Sequence, residues 1–516
     1  MNSFLTTLTD INSAVNTFVW NYGLIILIGT GILMTFLTKF FQIVHIKEWI
    51  KMTVGGLFKK KAHKKGGQGT VSQFQALCTA LAATIGTGNI AGVAAAIGTG
   101  GPGAVFWMWV AAFFGMMTNF SENVLGIYYR RKNEKGEWSG GAMYYLRDGL
   151  GKYKNCKTIG KVLAVIFSIC AILASFGIGN IGQINKITIN LESAFLSGVD
   201  LGTVGGIKIT SLIIGIVLMI VGGLIIFGGL KRIAATAEKL VPFMACAYVI
   251  GCLIIFFINI EKIGDMFAAI FKFAFGAEAV VGGFVGITVK EVVTQGCKRG
   301  VFSNEAGLGS SVMVHSASHV KEPVVQGMWG IFEVFADTMV VCTMTAIVVL
   351  SSGSIDLSTG QFLGENADTL VAQAFGNVFG KPGEMFVAIC VLMFAFTTVL
   401  GWSHYGTKSV EYLFGIKGGK IYKFIFVPMI IAGSVLTSSI AWDISDTFNG
   451  MMMIPNLIGV IALCPIVMKI TKNYIDRKIK HKAIEPMVSS IPEIQNEYSA
   501  KIMLEEQQER ETASTK

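Results

Sequence analysis

Two short runs in this sequence place glycines and polar side chains inside stretches otherwise apolar enough to cross a bilayer: TIGTGNIAG over Thr84 to Gly92 and FSNEAGLG over Phe302 to Gly309. Glycine in mid-helix costs roughly 1 kcal/mol relative to alanine, and an unpaired backbone amide in hydrocarbon costs several kcal/mol. Runs of this kind therefore read as interrupted membrane helices. Irregular backbone at membrane depth is tolerated where it lines a cavity, and there the freed main-chain groups become ligands, N–H groups for an anion and carbonyls for a cation. In the first run the half-helix after Gly88 opens with Asn89 and free N–H groups suited to a carboxylate, while carbonyls around Ala83 to Ile85 suit a hard cation such as Na⁺. Glycines alone would equally serve close helix packing; Asn89 within the run and a second polar break elsewhere favour a solute site.

Other side chains add to the picture without settling it. GIGNIGQ, Gly177 to Gln183, sets Asn180 and Gln183 beside glycines near a membrane boundary, either as polar contacts or as wet interfacial amides. Thr397, Thr398 and Trp402 fall on neighbouring helix positions; the hydroxyls suit Na⁺ and the indole can wall off a small solute, although a buried threonine more often bonds its own helix carbonyl. Glu305, Glu333 and Asp337 are ionisable groups near membrane depth, where burial costs about 2.5 to 3.5 kcal/mol or more each. Glu333 and Asp337, four apart, share a helix face and either look into a water-filled path or pair with Lys298 or Arg299. His315, His319 and His404 are expected to be solvated near helix ends. The nine cysteines lie mostly in apolar segments without a CxxC or Cys/His cluster, as small hydrophobes rather than metal ligands or disulfides.

The elements that must hold these residues are membrane spans. With 53% hydrophobic and 14% charged residues and a mean hydropathy of +0.61, the chain has too little polar surface for a soluble protein of 516 residues. The net charge of +10 comes from basic residues in short runs between apolar segments, which orient a membrane protein and do not suggest nucleic acid. Windows of about 19 residues predict spans near Val19–Leu37, Val71–Ile97, Ala104–Tyr128, Gly160–Gln183, Ile209–Phe227 and Val241–Ile258. Five more follow near Gly282–His315, Val325–Leu350, Met385–Trp402, Tyr422–Ala441 and Phe448–Ile470, the first of these interrupted by Lys290, Glu291, Lys298 and Arg299. No cleavable leader is read before the first span. Lys/Arg-rich loops, Lys39 to Lys65 and Arg130 to Lys135 foremost, fall on one side and predict an N-terminus outside and a cytoplasmic C-terminus.

Segments 71–258 and 282–472 then form two units of five spans, each opening on a broken helix, and five being odd they are inverted relative to each other. Residues 1–70 supply an extra N-terminal helix and a basic loop, 259–281 an extracellular connection, and 473–516 a charged cytoplasmic tail, disordered or weakly helical. The fold class expected is an all-α integral membrane protein of about eleven transmembrane helices.

Directly after TIGTGNIAGVAAAI, the block GGPGAVFWMW, Gly100 to Trp109, resembles the signature of the alanine or glycine:cation symporter family, and RGVFSNEAGLGS, Arg299 to Ser310, is a second match in the same order. The resemblance covers about Val19 to Lys472. It implies the fold shared with the bacterial leucine transporter, a 5+5 inverted repeat with one extra N-terminal helix, and sodium-driven import of alanine or glycine across the plasma membrane by a monomer. Carried over by motif, Thr87, Gly88 and Asn89 meet the solute's carboxylate and amine with Gln183 as a further contact; Phe302, Ser303 and Asn304 border the pocket; Thr398 and Trp402 close it. Ala83 and Gly86 carbonyls with Thr397 and Thr398 hold Na⁺. Proton coupling, a preference for serine or glutamine, and D-enantiomers stay open. A small-solute channel would need a continuous polar stripe, and no hydrolase or nucleotide-binding motif supports an enzyme.

Overall fold

A run such as ITSLIIGIVLMIVGGLII offers almost no side-chain partner for its own backbone, so in hydrocarbon only a helix satisfies its amides and carbonyls. It forms the helix Ile209–Ile226, whose outward residues Val217 and Leu224 are 54% and 64% exposed and present an apolar face for lipid. The computed structural model describes residues 2–57, 63, 70–275, 288–363, 369–436 and 439–514. Among these, seven helices are long and apolar enough to cross a bilayer: Thr9–Leu37, Ala104–Tyr128, Lys157–Phe195, Ile209–Ile226, Gly229–Ile258, Pro323–Ser351 and Lys381–Val435. Two bent pairs raise the number to nine, Gln73–Thr84 with Gly88–Gly100 at 54° and Asp443–Ala462 with Cys464–Ile479 at 58°.

The first predicted break is present: the helix opening on a Ser72–Gln75 capping box stops at Thr84, and a π-helical turn, Gly88–Gly92, leads into Val93–Gly100. The second is present too. Helix Val289–Asn304 ends on Glu305 in the left-handed region (φ 55°), Gly307 (φ 91°) and Gly309 (φ 73°) carry the chain through irregular backbone, and Val312–His315 resumes the helix. This pair is too polar to count as a span by composition, and residues 282–287, where its span was expected to begin, lie outside the described residues, as do most of the lysines predicted to make the first loop basic.

Other boundaries differ from expectation for identifiable reasons. The fourth span runs on past Gln183 to Phe195 because a π-helical turn, Gly177–Ile181, absorbs the glycines without ending the helix. The helix predicted over Met385–Trp402 begins at Lys381 and runs to Gly415, whose non-helical backbone (φ 72°, ψ −177°) divides it from a second helical stretch to Phe426; that stretch and the short helix Met429–Val435 fall in the region expected as Tyr422–Ala441, where residues 437–438 are not described. Loops read as plain connections contain the helices Ile263–Phe275 and Leu370–Phe379.

The tail is likewise ordered. Pro492–Ser514 is a helix, and the buried Arg477 guanidinium pairs with both Glu322, just ahead of helix Pro323–Val334, and Glu506 in the tail. Lys321 pairs with Glu505, and Ser490 N–H donates to the Tyr128 carbonyl at 2.9 Å. A disordered reading follows from the tail's charge density, which these pairings neutralise. Replacing Arg477 with Ala takes the guanidinium from buried Glu322 and leaves Glu506 to Lys478 alone, at 3.1 Å, a change that costs about 3 to 5 kcal/mol when one partner of a buried pair is removed. Thermal unfolding of the purified protein in detergent should show a clearly lowered midpoint for Arg477→Ala and a smaller loss for Arg477→Lys, which keeps the charge without the fork; an unchanged midpoint contradicts the clamp.

Candidate functional site

At the first break the main-chain groups released by the helix end are taken up by side chains. Ile85 N–H still reaches the Leu81 carbonyl at 2.8 Å. Gly86 N–H donates to Asn89 Oδ1 at 2.9 Å, and Thr87 N–H to Gln183 Oε1 at 3.3 Å. The carbonyls of Ala82 to Ile85 follow Leu81 at the end of this helix, where a helix leaves main-chain oxygens of the kind that suit a hard cation. Glycine is required here by close approach: a Cβ on Gly86 would stand 2.5 Å from Thr398 Oγ1 and 3.3 Å from Gln183 Oε1, and one on Gly88 would stand 3.1 Å from the Phe302 ring.

The Asn89 side chain, read as a solute contact, is given to the frame instead. Its Nδ2 donates to Asp337 Oδ1 at 2.8 Å and lies 3.4 Å from Cys342 Sγ, while Thr345 Oγ1 donates to the Asn89 carbonyl at 2.7 Å. Asp337 sits in a π-helical segment, Phe335–Cys342, and its other oxygen accepts from Ser303 Oγ at 2.6 Å and Thr338 Oγ1 at 2.9 Å. One carboxylate thus joins both breaks. Asn304 is also held by the frame: Nδ2 donates to Thr338 Oγ1 at 3.0 Å and Oδ1 accepts Ala306 N–H at 3.0 Å, an Asx turn that redirects the chain after the helix ends.

Between the two breaks lies a small cavity. Of the candidate residues, Ala83, Gly86, Gly88, Gln183, Phe302, Thr398 and Trp402 line it, whereas Thr87, Asn89, Ser303, Asn304 and Thr397 do not. Thr397 Oγ1 bonds the Phe394 carbonyl at 2.9 Å and lies 3.7 Å from Met244 Sδ. Thr398 Oγ1 donates to the same carbonyl at 3.0 Å, which leaves its lone pairs toward Gly86. Trp402 packs on the π-helical turn, where a Cβ on Gly179 would stand 2.4 Å from Trp402 Cβ, and it lines the cavity together with Glu305.

Four lining residues were not assigned to the site from sequence: Thr84, Ile178, Glu305 and Asn449. Glu305 stood out as an ionisable group at depth, but its left-handed backbone, which turns it inward, has no sequence signal. Asn449 carries no motif at all, and its Oδ1 is buried without a hydrogen-bond partner, an acceptor that a donor in the cavity would satisfy.

The remaining polar expectations are corrected by the packing. His315 is fully buried, with its Nε2 2.9 Å from Glu333 Oε2, and His404 is 4% exposed; neither is solvated. Glu333 also accepts from Asn119 Nδ2 at 3.0 Å. Glu333 and Asp337 therefore serve different partners, because the π-helical segment between them breaks the four-residue phase, and neither pairs with Lys298, which is held by Asp446 at 2.8 Å.

The profile of the sodium:alanine symporter family matches residues 5–488. The sodium/alanine symporter AgcS of Methanococcus maripaludis is 41% identical over 463 residues, 90% of this chain and 96% of that protein. A Bacillus subtilis protein named as a probable sodium/glutamine symporter, GlnT, is 35% identical over 471 residues, 90% of each chain. Among solved structures, that of MhsT in complex with L-phenylalanine matches with a TM-score of 0.50 at 14% identity, covering 79% of this chain and 99% of the other, a likeness of fold.

The Asp337 bridge is directly testable. An amide at this position keeps the shape but offers one acceptor oxygen where Asn89 and Ser303 both donate, so Asp337→Asn should lose about 1 to 3 kcal/mol, read as a lower thermal midpoint, and Ser303→Ala in that background should add little. Full additivity of the two changes contradicts a shared carboxylate.

Proposed function

We propose, from the premise that this chain belongs to the sodium:alanine symporter family, that it imports small neutral amino acids, alanine or glycine, together with Na⁺ by alternating access. The chain is a multi-pass protein of the cell membrane and a transporter, not an enzyme. The observation that carries the finer reading is the cavity walled by both breaks, with Thr398 and Trp402 of the long helix on its third side. In this reading 71–258 and 282–472 are inverted five-helix repeats preceded by an extra N-terminal helix, about eleven spans in all, with the N-terminus outside, the C-terminus inside and the protein monomeric.

Each group then has a task. Carbonyls near Ala83 to Ile85 and the Thr398 hydroxyl oxygen, whose O–H already donates to the Phe394 carbonyl, supply hard oxygen ligands for Na⁺. Binding there stiffens the interrupted helix. The solute carboxylate faces the main chain at Gly88, where the resumed helix presents its N-terminal dipole, and the ammonium faces the Asn449 carbonyl oxygen and Glu305. Phe302 and Trp402 limit the side chain. Asn89, Ser303 and Asn304 act through the frame rather than by contact. A membrane potential of about 100 mV contributes about 2.3 kcal/mol per charge moved, roughly fifty-fold accumulation per sodium.

The test is uptake of labelled alanine, glycine and glutamine into proteoliposomes under imposed Na⁺ or H⁺ gradients. Accumulation of alanine or glycine should require the sodium gradient. Thr398→Val should raise the half-saturating Na⁺ concentration at least tenfold while uptake at saturating Na⁺ falls less. Uptake driven by protons without sodium, or an unchanged sodium dependence in Thr398→Val, contradicts the assignment.

A further inference from the structure

A second and much larger cavity, of about 820 Å³, shares no lining residue with the solute site. Its walls come from the hairpin Arg131–Ser139, the turn between helices Ile209–Ile226 and Gly229–Ile258, and the lower part of the long helix Lys381–Phe426. Five lysines line it, Lys135, Lys231, Lys408, Lys420 and Lys423, against two carboxylates, Glu137 and Glu411, and Lys408 already pairs with Glu411 at 2.8 Å. The lining therefore keeps a positive excess.

The N-terminus of helix Gly229–Ile258 opens into the same space. That helix is 30 residues long, has no side-chain cap at Gly228 and no acidic residue in its first turn, so its first N–H groups and dipole are unopposed by a local anion. His404 gives the independent sign of a ligand: it lines the cavity, is 4% exposed, and its Nε2 is buried without a hydrogen-bond partner. At the rim Phe227 and Phe424, 47% and 68% exposed, meet ring to ring at 4.9 Å. The opening is thus apolar on the outside and cationic within.

We propose that this cavity binds a phosphate ester, with the headgroup of an anionic phospholipid as its source. The helix N-terminus and lysines receive the phosphoryl oxygens, and the acyl chains leave past Phe227 and Phe424 into the bilayer. Free phosphate shares the charge chemistry but leaves the aromatic rim without a role.

The purified full-length protein is titrated, at matched ionic strength, with dioctanoyl-phosphatidylglycerol, dioctanoyl-phosphatidylcholine and inorganic phosphate, and its thermal midpoint is followed. Phosphatidylglycerol should stabilise saturably and phosphatidylcholine should not. The double variant Lys231→Gln/Lys423→Gln should raise the half-saturating phosphatidylglycerol concentration at least tenfold, whereas Lys208→Gln/Lys262→Gln leaves it unchanged. Inorganic phosphate reproducing the full shift retains the anion site and overturns the lipid as its source. An unchanged half-saturation in the cavity variant, or no stabilisation by either anion, overturns the site. Should the double variant fail to fold, native mass spectrometry of the unaltered chain decides: retention of one phosphatidylglycerol at least tenfold over phosphatidylcholine supports the site, and equal retention overturns it.

Discussion

The Asp337 carboxylate is the constraint on which the rest of the site depends. An ionised carboxylate away from water is expensive unless its oxygens are filled, and here the Asn89 amide from one interrupted helix and the Ser303 hydroxyl from the other fill them. Each interrupted helix alone would expose backbone groups that hydrocarbon does not satisfy. Joined through one acceptor, the two breaks hold a fixed distance from each other, and the Gly88 main chain can rest against the Phe302 ring. The same carboxylate ties the breaks to the helix between Pro323 and Ser351, so a movement of that helix is felt at both.

Three π-helical turns surround this arrangement: Gly88–Gly92, Gly177–Ile181 and Phe335–Cys342. Such turns insert a residue into the helical phase and are frequent at functional sites. Here each re-aims a side chain. The turn at Gly177–Ile181 brings Gln183 back to the Thr87 amide, and the one at Phe335–Cys342 sends Asp337 to the breaks while Glu333 goes to His315. Polar groups therefore converge on the breaks, and at Gly177–Ile181 and Phe335–Cys342 they do so without the helix ending.

This phase shift also marks what was legible in the sequence. Both breaks could be read because glycine and asparagine in an apolar run are costly without a purpose, and Gln183, Phe302, Thr398 and Trp402, which the resemblance implies as solute contacts, line the cavity between them. What side chains do within the breaks was not legible: the sequence favours Asn89 as a solute contact, and nothing in it announces the 2.8 Å hydrogen bond to Asp337. Asn449 and His315 became visible only through tertiary contacts, and the ordered tail through its pairing with Arg477. A four-residue spacing rule fails for Glu333 and Asp337 because nothing in FEVFADTM announces the π-helical segment.

Hydropathy is also blind to the second break, and the packing explains why so polar a segment can lie among membrane helices. Beyond its exposed first turn at Lys290 and Glu291, Val289–Asn304 is packed against protein. Helix Ala104–Tyr128 approaches so closely that a Cβ on Gly296 would stand 2.4 Å from the Ala104 carbonyl oxygen. On another side the N-terminal helix places the Trp20 ring 4.9 Å from Lys298 Nζ and Leu27 against Gly307, while Asn16 donates to Asp446, the partner of Lys298, at 3.0 Å. Charges that would be prohibitive against acyl chains are thereby paired and screened. The N-terminal helix is then best understood as the shield that lets a charged half-helix sit at depth, where its end, Phe302 to Glu305, must be polar enough to build a binding wall.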